Sequence, residues 1–182
     1  MSLRVISGDW HGRPLEAPPG TDTRPLTDRI KQSLFDWLGQ RMDDWRVADV
    51  CAGSGAFGIE AASRGAKEVH LIENGRHAIP TLRTNLKMLG DPPQVRLLTE
   101  PFQTALPRLK ELDLVFCDPP FPWFTDRPES LEKMMTMAAA AISAEGQVLI
   151  RGEERQKLPA SSVLRIIEQR EYGRSWIARL GE

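Results

Sequence analysis

Residues 47–60 constrain the fold of this chain more than any other segment. They read Val-Ala-Asp-Val-Cys-Ala-Gly-Ser-Gly-Ala-Phe-Gly-Ile-Glu, which predicts an apolar strand, a glycine-rich turn and a helix that begins near Ala56. Glycines in such a turn permit positive φ angles and let a ligand approach the backbone closely. The helix that follows presents free N–H groups to polar ligand atoms. The segment therefore predicts an α/β protein that binds a ligand at this turn.

Strand and helix patterns alternate through residue 151. The predicted strands cover residues 46–51, 68–73, 94–98, 112–117 and 146–151, and the predicted helices cover residues 28–41, 56–64, 75–89, 102–110 and 127–142. This alternation favours a mostly parallel sheet with helices on both faces. The tail predicts two further strands, 162–168 and 172–180, joined by a turn near Glu171 as an antiparallel hairpin at one sheet edge.

The N-terminal segment has a different pattern. Residues 3–16 alternate in polarity and contain Gly8 and Gly12, which predicts a small β-hairpin, and residues 17–25 form a Pro/Gly/Thr-rich linker. Thr27 is a suitable N-cap for the helix that follows. We therefore divide the chain into an N-terminal arm with its linker, residues 1–26, and a main domain, residues 27–182.

Acidic residues stand at the carboxyl ends of four predicted strands. They are Asp49, Glu73, Glu100 and Asp118. Right-handed crossovers bring the carboxyl ends of parallel strands to one edge of the sheet, where α/β proteins bind ligands. We expect these side chains to converge on one crevice, in which a carboxylate at position 73 accepts both hydroxyl groups of a ribose.

The tetrapeptide Asp118-Pro119-Pro120-Phe121 directly follows the apolar strand of residues 115–117. The Asp118 side chain and the next carbonyl offer acceptors for both hydrogens of an exocyclic amine. Each proline fixes its own φ angle and lacks an N–H, so the turn is stiff and rich in acceptors. The ring of Phe121 is suited to stacking on a base. The motif predicts a site for a planar nitrogen.

A nicotinamide-dependent dehydrogenase is one alternative, because Gly53–Gly58 fits G-x-G-x-x-G and Glu73 follows about twenty residues later. Asp49 argues against it, since a carboxylate four residues before Gly53 suits a cationic amino-acid group and repels a pyrophosphate. S-adenosylmethionine carries a ribose, an adenine, an ammonium and a sulfonium but no phosphate. The combination with Asp118–Phe121 resembles class I methyltransferases that modify exocyclic or amide nitrogens. The predicted cofactor contacts are Asp49, Ala52, Gly53, Ser54, Gly55, Glu73, Asn74, Glu100 and Phe102.

The composition of the chain limits its expected location in the cell, its metal content and its way of binding RNA. The chain has 182 residues, a net charge of −1 and two cysteines, Cys51 and Cys117. It contains no apolar run long enough to span a bilayer and no secretory signal pattern at residues 1–20, so we expect a cytoplasmic protein. No His/Cys spacing suits a metal, and we expect none. Because nucleic-acid-binding proteins are usually basic, RNA recognition would need local patches. One candidate is the arm with Arg4, His11, Arg13, Arg24, Arg29 and Lys31, and the other is the region 151–179 with Arg151, Arg155, Lys157, Arg165, Arg170, Arg174 and Arg179.

Residues 3–13 and 23–38, including Thr23-Arg24-Pro25-Leu26-Thr27-Asp28-Arg29, resemble the RsmD-type family. The resemblance continues through Asp49–Gly55, Asp113–Asp118 and Glu171-Tyr172-Gly173. It implies a Rossmann-like class I methyltransferase fold with a mostly parallel seven-stranded sheet, S-adenosylmethionine as cofactor, and methylation of the N2 amine of a guanine in 16S ribosomal RNA. The implied partner is that RNA within a small ribosomal subunit or an assembly intermediate, and the implied substrate-binding residues are Arg4, Arg13, Arg24, Thr27 and Arg29.

The chain departs from the family pattern at several positions. Phe121 stands where tyrosine is usual, which removes a hydroxyl group but keeps the stacking face. Pro101 follows Glu100 and lacks the backbone N–H that commonly binds adenine, so Phe102 is the candidate donor. Amino-directed methyltransferases that act on DNA adenine or on protein glutamine stay open as alternatives, as does a non-catalytic module that binds the cofactor or RNA.

Overall fold

A seven-stranded sheet lies at the centre of the computed structural model, which describes residues 3–20, 26–159 and 163–181. Its strands are β3 (Arg46–Val50), β4 (Glu68–Ile72), β5 (Val95–Leu98), β6 (Leu112–Cys117), β7 (Ile142–Glu153), β8 (Arg165–Tyr172) and β9 (Ser175–Gly181). Their order in the sheet is β5-β4-β3-β6-β7-β9-β8. Strands β3 to β7 pair in parallel, and β9 pairs antiparallel with both β7 and β8. The predicted parallel sheet with an antiparallel C-terminal hairpin is confirmed.

Helices cover both faces of this sheet. They are α1 (Asp28–Leu38), α2 (Ala56–Ser63), α3 (Ala78–Met88), α4 (Phe102–Ala105), α5 (Trp123–Asp126) and α6 (Pro128–Ala139), with a 3₁₀ turn at Leu106–Arg108. Alternate residues of β6 supply the two cores. Phe116 packs with α1, α2 and α3 on one face, and Val115 packs with α4 and α6 on the other. This period of two is what a strand buried on both faces requires.

The first of these cores contains a stack of aromatic rings. The ring centroids of Phe35 and Phe57 are 5.3 Å apart, and those of Phe57 and Phe116 are 4.1 Å apart. Thr27 caps α1 as predicted, since its hydroxyl accepts from the Ile30 N–H at 3.4 Å. The stack thus joins α1 and α2 to the middle of the sheet.

The N-terminal arm is a small hairpin of β1 (Leu3–Arg4) and β2 (Pro14–Leu15), as predicted. A buried ionic cluster holds it against the helices. The Glu60 carboxylate accepts from the Ile6 N–H at 2.8 Å and from Arg64 Nε at 2.9 Å, and it pairs with Lys31 Nζ at 3.4 Å. Lys31 is fully buried, so its predicted place in a basic surface patch is wrong. Its ammonium also donates to the Arg4 carbonyl and so helps to hold the arm against α1.

Two further contacts fix the arm. Ser63 Oγ donates to the Ser7 carbonyl at 2.6 Å and accepts from the Trp10 N–H at 3.0 Å. The buried side chain of Asn85 bonds both backbone groups of Glu16, at 2.8 and 3.0 Å. Asn85 Nδ2 also donates to the Ser54 carbonyl at 2.9 Å. One side chain therefore links the end of the arm to the glycine-rich turn.

Several element boundaries differ from the sequence prediction; helices α1, α4 and α6, for example, end at Leu38, Ala105 and Ala139, earlier than predicted. The turn predicted near Glu171 lies two residues further along the chain, because β8 continues through Tyr172 and the chain turns at Gly173, where φ is 62°. Helix α3 begins at Ala78, three residues later than predicted. Strand β7 spans 12 residues and is twice as long as predicted, since its first residues pair with the start of β6 before a bulge.

Candidate active site

The carboxyl ends of the parallel strands open into one cavity of about 560 Å³, which we call the acidic cavity. Asp49, Glu73, Glu100 and Asp118 all line it, so the predicted convergence of these four strand-end acids is what the structure contains. A cavity of this volume is in the usual range for a small-molecule site. Ala52, Gly53, Ser54, Asn74 and Phe102 also line it.

The glycine-rich turn is held by Glu73. Its two carboxylate oxygens accept from the Gly53 N–H at 2.8 Å and the Gly75 N–H at 2.6 Å. Gly53 adopts a φ of 57°, which the turn requires and which glycine adopts without strain. Gly55 lies outside the cavity lining, because its Cα faces the core, where a Cβ would come within 2.7 Å of a Leu82 methyl. Gly55 therefore has a packing reason to lack a side chain, and its cofactor contact stays a prediction.

Asp49 is the most deeply buried of the four acids, with 1% of its surface exposed. Its Oδ2 accepts from the Gly58 N–H at 2.9 Å. Burial raises the pKa of Asp49 well above its usual range, the Gly58 N–H partly offsets this, and the nearby Asp118 and Glu73 carboxylates add to it. A cationic ligand group in the cavity would relieve that unfavourable charge.

Asp118 lies at the end of β6 with a quarter of its side chain exposed to the cavity. Its Oδ2 accepts from Arg151 Nη1 at 3.2 Å. Burial raises the pKa of Asp118, and the Arg151 guanidinium opposes that rise. The carboxylate is therefore held in place by a cation from the neighbouring strand β7.

Sequence reasoning missed the role of Arg151. This side chain is 2% exposed, and its guanidinium lies over the Phe121 ring at 5.4 Å from the centroid. The available signal was a basic residue at the end of β7, the strand that pairs with the one ending in Asp118. Arg151 thus contacts both the first and the last residue of the Asp118–Phe121 motif and holds them in place.

The remaining residues of the Asp118–Phe121 motif differ in whether they line the acidic cavity. Pro120 lines the cavity, whereas Pro119 and Phe121 lie outside its lining. The Phe121 carbonyl accepts from Gln156 Nε2 at 2.6 Å, a contact from the loop after β7. Two residues therefore hold the turn in place, Arg151 on β7 and Gln156 in the loop that follows β7.

Aromatic residues close the far side of the acidic cavity. Phe102 is 4% exposed, with its ring centroid 6.3 Å from that of Trp123, and both line the cavity. Phe124 instead packs in the core, edge-on against Trp176 at 5.7 Å. Glu100 forms an ion pair with Arg108, so its carboxylate is shared between the cavity and the protein surface.

The predicted substrate residues lie in three places. Thr27 and Arg29 line a second cavity of about 590 Å³, which we call the arginine cavity. Arg4 is exposed and pairs with Asp28 at 2.7 Å, and Arg13 is exposed on the hairpin. Arg24 lies outside the described residues. The arm itself reaches the acidic cavity through Leu3, Pro18 and Leu26.

The two cysteines end neighbouring strands, as expected. Both are free thiols, and burial raises the pKa of each. Within residues 3–20, 26–159 and 163–181, no group of His, Cys, Asp and Glu side chains is arranged to hold a metal ion. Over the same three ranges, no helix is long and apolar enough to cross a membrane.

The strand order, the glycine-rich turn after β3 and the acids at the ends of β3, β4 and β6 define a class I methyltransferase. Residues 3–180 match the family described as Conserved hypothetical protein 95. The chain belongs to this family, the RsmD-type methyltransferases.

Individual relatives agree with this assignment. YlbH of Bacillus subtilis, named provisionally as an rRNA methyltransferase, is 31% identical over 97% of each chain. Ribosomal RNA small subunit methyltransferase D of Escherichia coli K12 is 40% identical over 123 residues, which are 65% of this chain and 60% of that protein. A solved structure of yhhF from Escherichia coli, described provisionally as a methyltransferase, has a TM-score of 0.80 and 30% identity over 99% of this chain and 97% of that one.

Proposed function

We propose that this protein transfers a methyl group from S-adenosylmethionine to the exocyclic N2 amine of a guanine in small-subunit ribosomal RNA. The observation that carries the proposal is the Asp118-Pro119-Pro120 turn, ordered by Arg151 at the rim of an acid-lined cavity. The name of the Escherichia coli relative, a small-subunit ribosomal RNA methyltransferase, supports the substrate class. The reaction would take place in the cytoplasm.

The acidic cavity fits this cofactor by its volume and its donor set. The Glu73 oxygens, already oriented by two backbone N–H groups, are suited to the ribose hydroxyls. The buried Asp49 suits an ammonium group, because a cation lowers the cost of its burial. Ala52, Gly53, Ser54 and Asn74 would provide backbone contacts, while Glu100 and the Phe102 backbone N–H would meet the adenine.

The cofactor supplies a methyl group already activated on a sulfonium, so the protein's part is to orient the amine and accept its hydrogens. Asp118 Oδ1 and the Pro119 carbonyl would accept the two N–H bonds, which turns the nitrogen lone pair toward the cavity. Alignment of this kind lowers a barrier by about 7–11 kcal/mol in ideal cases. Asp118 would take the proton that leaves after the N–C bond has formed.

A guanine in a paired stem cannot reach this turn, so the target would have to be unstacked before reaction. Phe121 would stack on the extruded base, and the guanidinium over its other side keeps that ring in place. Phe121 lacks the hydroxyl of a tyrosine, so stacking is its whole contribution. We further propose that Arg4, Arg13, Arg24, Thr27 and Arg29 contact the RNA.

The test is transfer of labelled methyl groups from S-adenosylmethionine to small ribosomal subunits that lack the modification. Naked 16S RNA, total DNA and a protein-only sample serve as parallel acceptors. We expect label in the ribosomal samples, recovered as N2-methylguanine after digestion. Label confined to DNA or protein, with none in ribosomal samples, would refute the proposed substrate and leave the fold and family unchanged.

A further inference from the structure

The arginine cavity lies between the start of α1 and the turn that joins β8 to β9. Thr27 and Arg29 form one wall, and Tyr172 and Arg174 form the other. Its volume of about 590 Å³ matches that of the acidic cavity and falls within the range of small-ligand sites. The second cavity is thus large enough for a nucleotide.

Its lining is strongly cationic for a chain with a net charge of −1. Arg29, Arg151 and Arg174 face a single acid, Glu171. Arg29 and Arg174 are exposed, and neither side chain bonds to another residue in the part of the chain that the structure describes. Their guanidinium groups are therefore available to an external anion, and arginine is well suited to phosphate because it donates two parallel hydrogen bonds.

An aromatic ring adds a second recognition element. Tyr172, the one tyrosine of the sequence, lines the cavity and is half-buried. Its hydroxyl accepts from Ser33 Oγ at 3.3 Å, which ties the ring to α1. A fixed aromatic ring beside guanidinium groups is the combination that single-stranded RNA-binding sites use for a base and its phosphate.

Arg151 joins the two cavities. It lines the arginine cavity while its guanidinium contacts Asp118 and the Phe121 ring at the rim of the acidic cavity. A ligand in the arginine cavity consequently lies one side chain away from the group that would hold the target amine.

We propose that the arginine cavity binds the nucleotide next to the target in single-stranded RNA, with its phosphate on Arg29 and Arg174 and its base beside Tyr172. This inference rests on the proposed function, since it names where the RNA continues beyond the methylated base. Arg174 belongs to the basic C-terminal region noted in the sequence, and the inference adds Tyr172, for which the sequence predicted no substrate contact.

The test is the salt dependence of binding, measured by fluorescence anisotropy with a labelled, mixed-sequence single-stranded RNA of about 12 nucleotides. Each lost phosphate contact makes the plot of log affinity against log salt shallower by about 0.7. We expect this from Arg29→Ala/Arg174→Ala but not from Arg83→Ala/Lys87→Ala. The second pair lies on the exposed side of α3 and removes the same charge.

A second test measures KM and kcat of methyl transfer with the proposed natural substrate. With small subunits as acceptor, we expect the arginine-cavity variant to raise KM at least about tenfold while kcat stays within about twofold. An unchanged salt slope with an unchanged KM overturns the proposal, and so does an equal effect of the α3 variant, which would indicate diffuse charge. If the unaltered protein labels no RNA, the proposed function fails whatever these variants do; if it labels RNA and the variants match it, only the nucleotide site fails.

Discussion

The two cavities have nearly equal volumes but differ in the balance of their charges. Four carboxylates and two arginines, Arg76 and Arg127, line one, whereas three arginines and one carboxylate, Glu171, line the other. The first suits a cofactor that carries an ammonium and a sulfonium, and the second suits a polymer that carries phosphates. The difference teaches that a nearly neutral chain can hold an excess of carboxylates in one cavity and an excess of arginines in another, with the Asp118–Arg151 pair between them.

The cavities also differ in how firmly their charged groups are held. In the acidic cavity, Asp49 and Glu73 are fixed by backbone N–H groups of the glycine-rich segment. In the arginine cavity, Arg29 and Arg174 are exposed. We infer that the cofactor side is preorganised, whereas the RNA side adapts when the substrate arrives.

The largest effect is expected from Asp118→Ala, which removes the acceptor where the cavities meet. Turnover should fall at least about a hundredfold, by analogy with loss of one positioned polar group, while cofactor affinity barely changes. Methyl-transfer kinetics and calorimetric titration of S-adenosylhomocysteine measure the two quantities. Asp113→Ala is the matched control, because Asp113 lies on the same strand at its opposite end and accepts from the Arg46 N–H. Equal losses of turnover and cofactor affinity would place Asp118 in the cofactor site or in folding.

Glu73→Ala should reverse that pattern. The variant loses the carboxylate that orients the Gly53 and Gly75 N–H groups, so cofactor affinity should fall about ten- to a hundredfold, the range for hydrogen bonds to a charged group. Titration of the same product analogue measures it. Glu68→Ala, at the other end of β4, should leave affinity unchanged. Unaltered binding by Glu73→Ala would remove the ribose assignment.

Arg151→Met tests the contact between Arg151 and Asp118, which lies between the two cavities. The guanidinium opposes the rise in the pKa of Asp118 that burial causes, so its loss should raise that pKa further. Because ionised Asp118 accepts the amine hydrogens, the acid limb of the pH–rate profile should move to higher pH. Turnover at neutral pH should fall on the order of tenfold and recover as pH rises.

Arg170→Met is the control for Arg151→Met. Arg170 also stacks on an aromatic ring, Trp37 at 4.4 Å, and pairs with a carboxylate, Glu168 at 2.8 Å, but it lies outside both cavity linings. The acid limb of the pH–rate profile should not move in Arg170→Met. A lower turnover for Arg151→Met with no movement of the acid limb would reduce Arg151 to a packing role.

The smallest effect should come from Asp49→Asn. Since the pKa of Asp49 is raised by folding, the unaltered protein loses stability as pH rises from the usual aspartate range through the folded-state pKa. The variant escapes that loss, so its melting temperature should exceed that of the unaltered protein above this window and match it near pH 4. Each 1 kcal/mol of relief corresponds to about 2–4 °C. A variant that is less stable at every pH would show that the charge of Asp49 is not a cost to folding.

Much of the acidic cavity could be predicted because its parts are local in sequence. A strand, a glycine-rich turn and a strand-end acid each leave a short pattern, and the parallel topology places those ends together. The arginine cavity leaves no such pattern. Thr27 caps α1, Arg151 lies on β7 and Tyr172 ends β8, so these residues are far apart in the chain and come together only in the folded structure.

Other errors arose where tertiary contacts override local pattern. Lys31 resembles a surface cation in the sequence, but the buried carboxylate of Glu60 draws it into the core. Pairing of Glu171 with Trp176 extends β8 past the predicted turn until Gly173 permits the reversal.

Hydrogen exchange with S-adenosylhomocysteine tests the division between the cavities most directly. Saturating ligand should slow amide exchange at residues 51–58 and 73–76, around the acidic cavity, and leave residues 171–175 of the arginine cavity unchanged. Protection at 171–175 with none at the glycine-rich turn would contradict the account, because the cofactor would then occupy the cavity assigned to RNA.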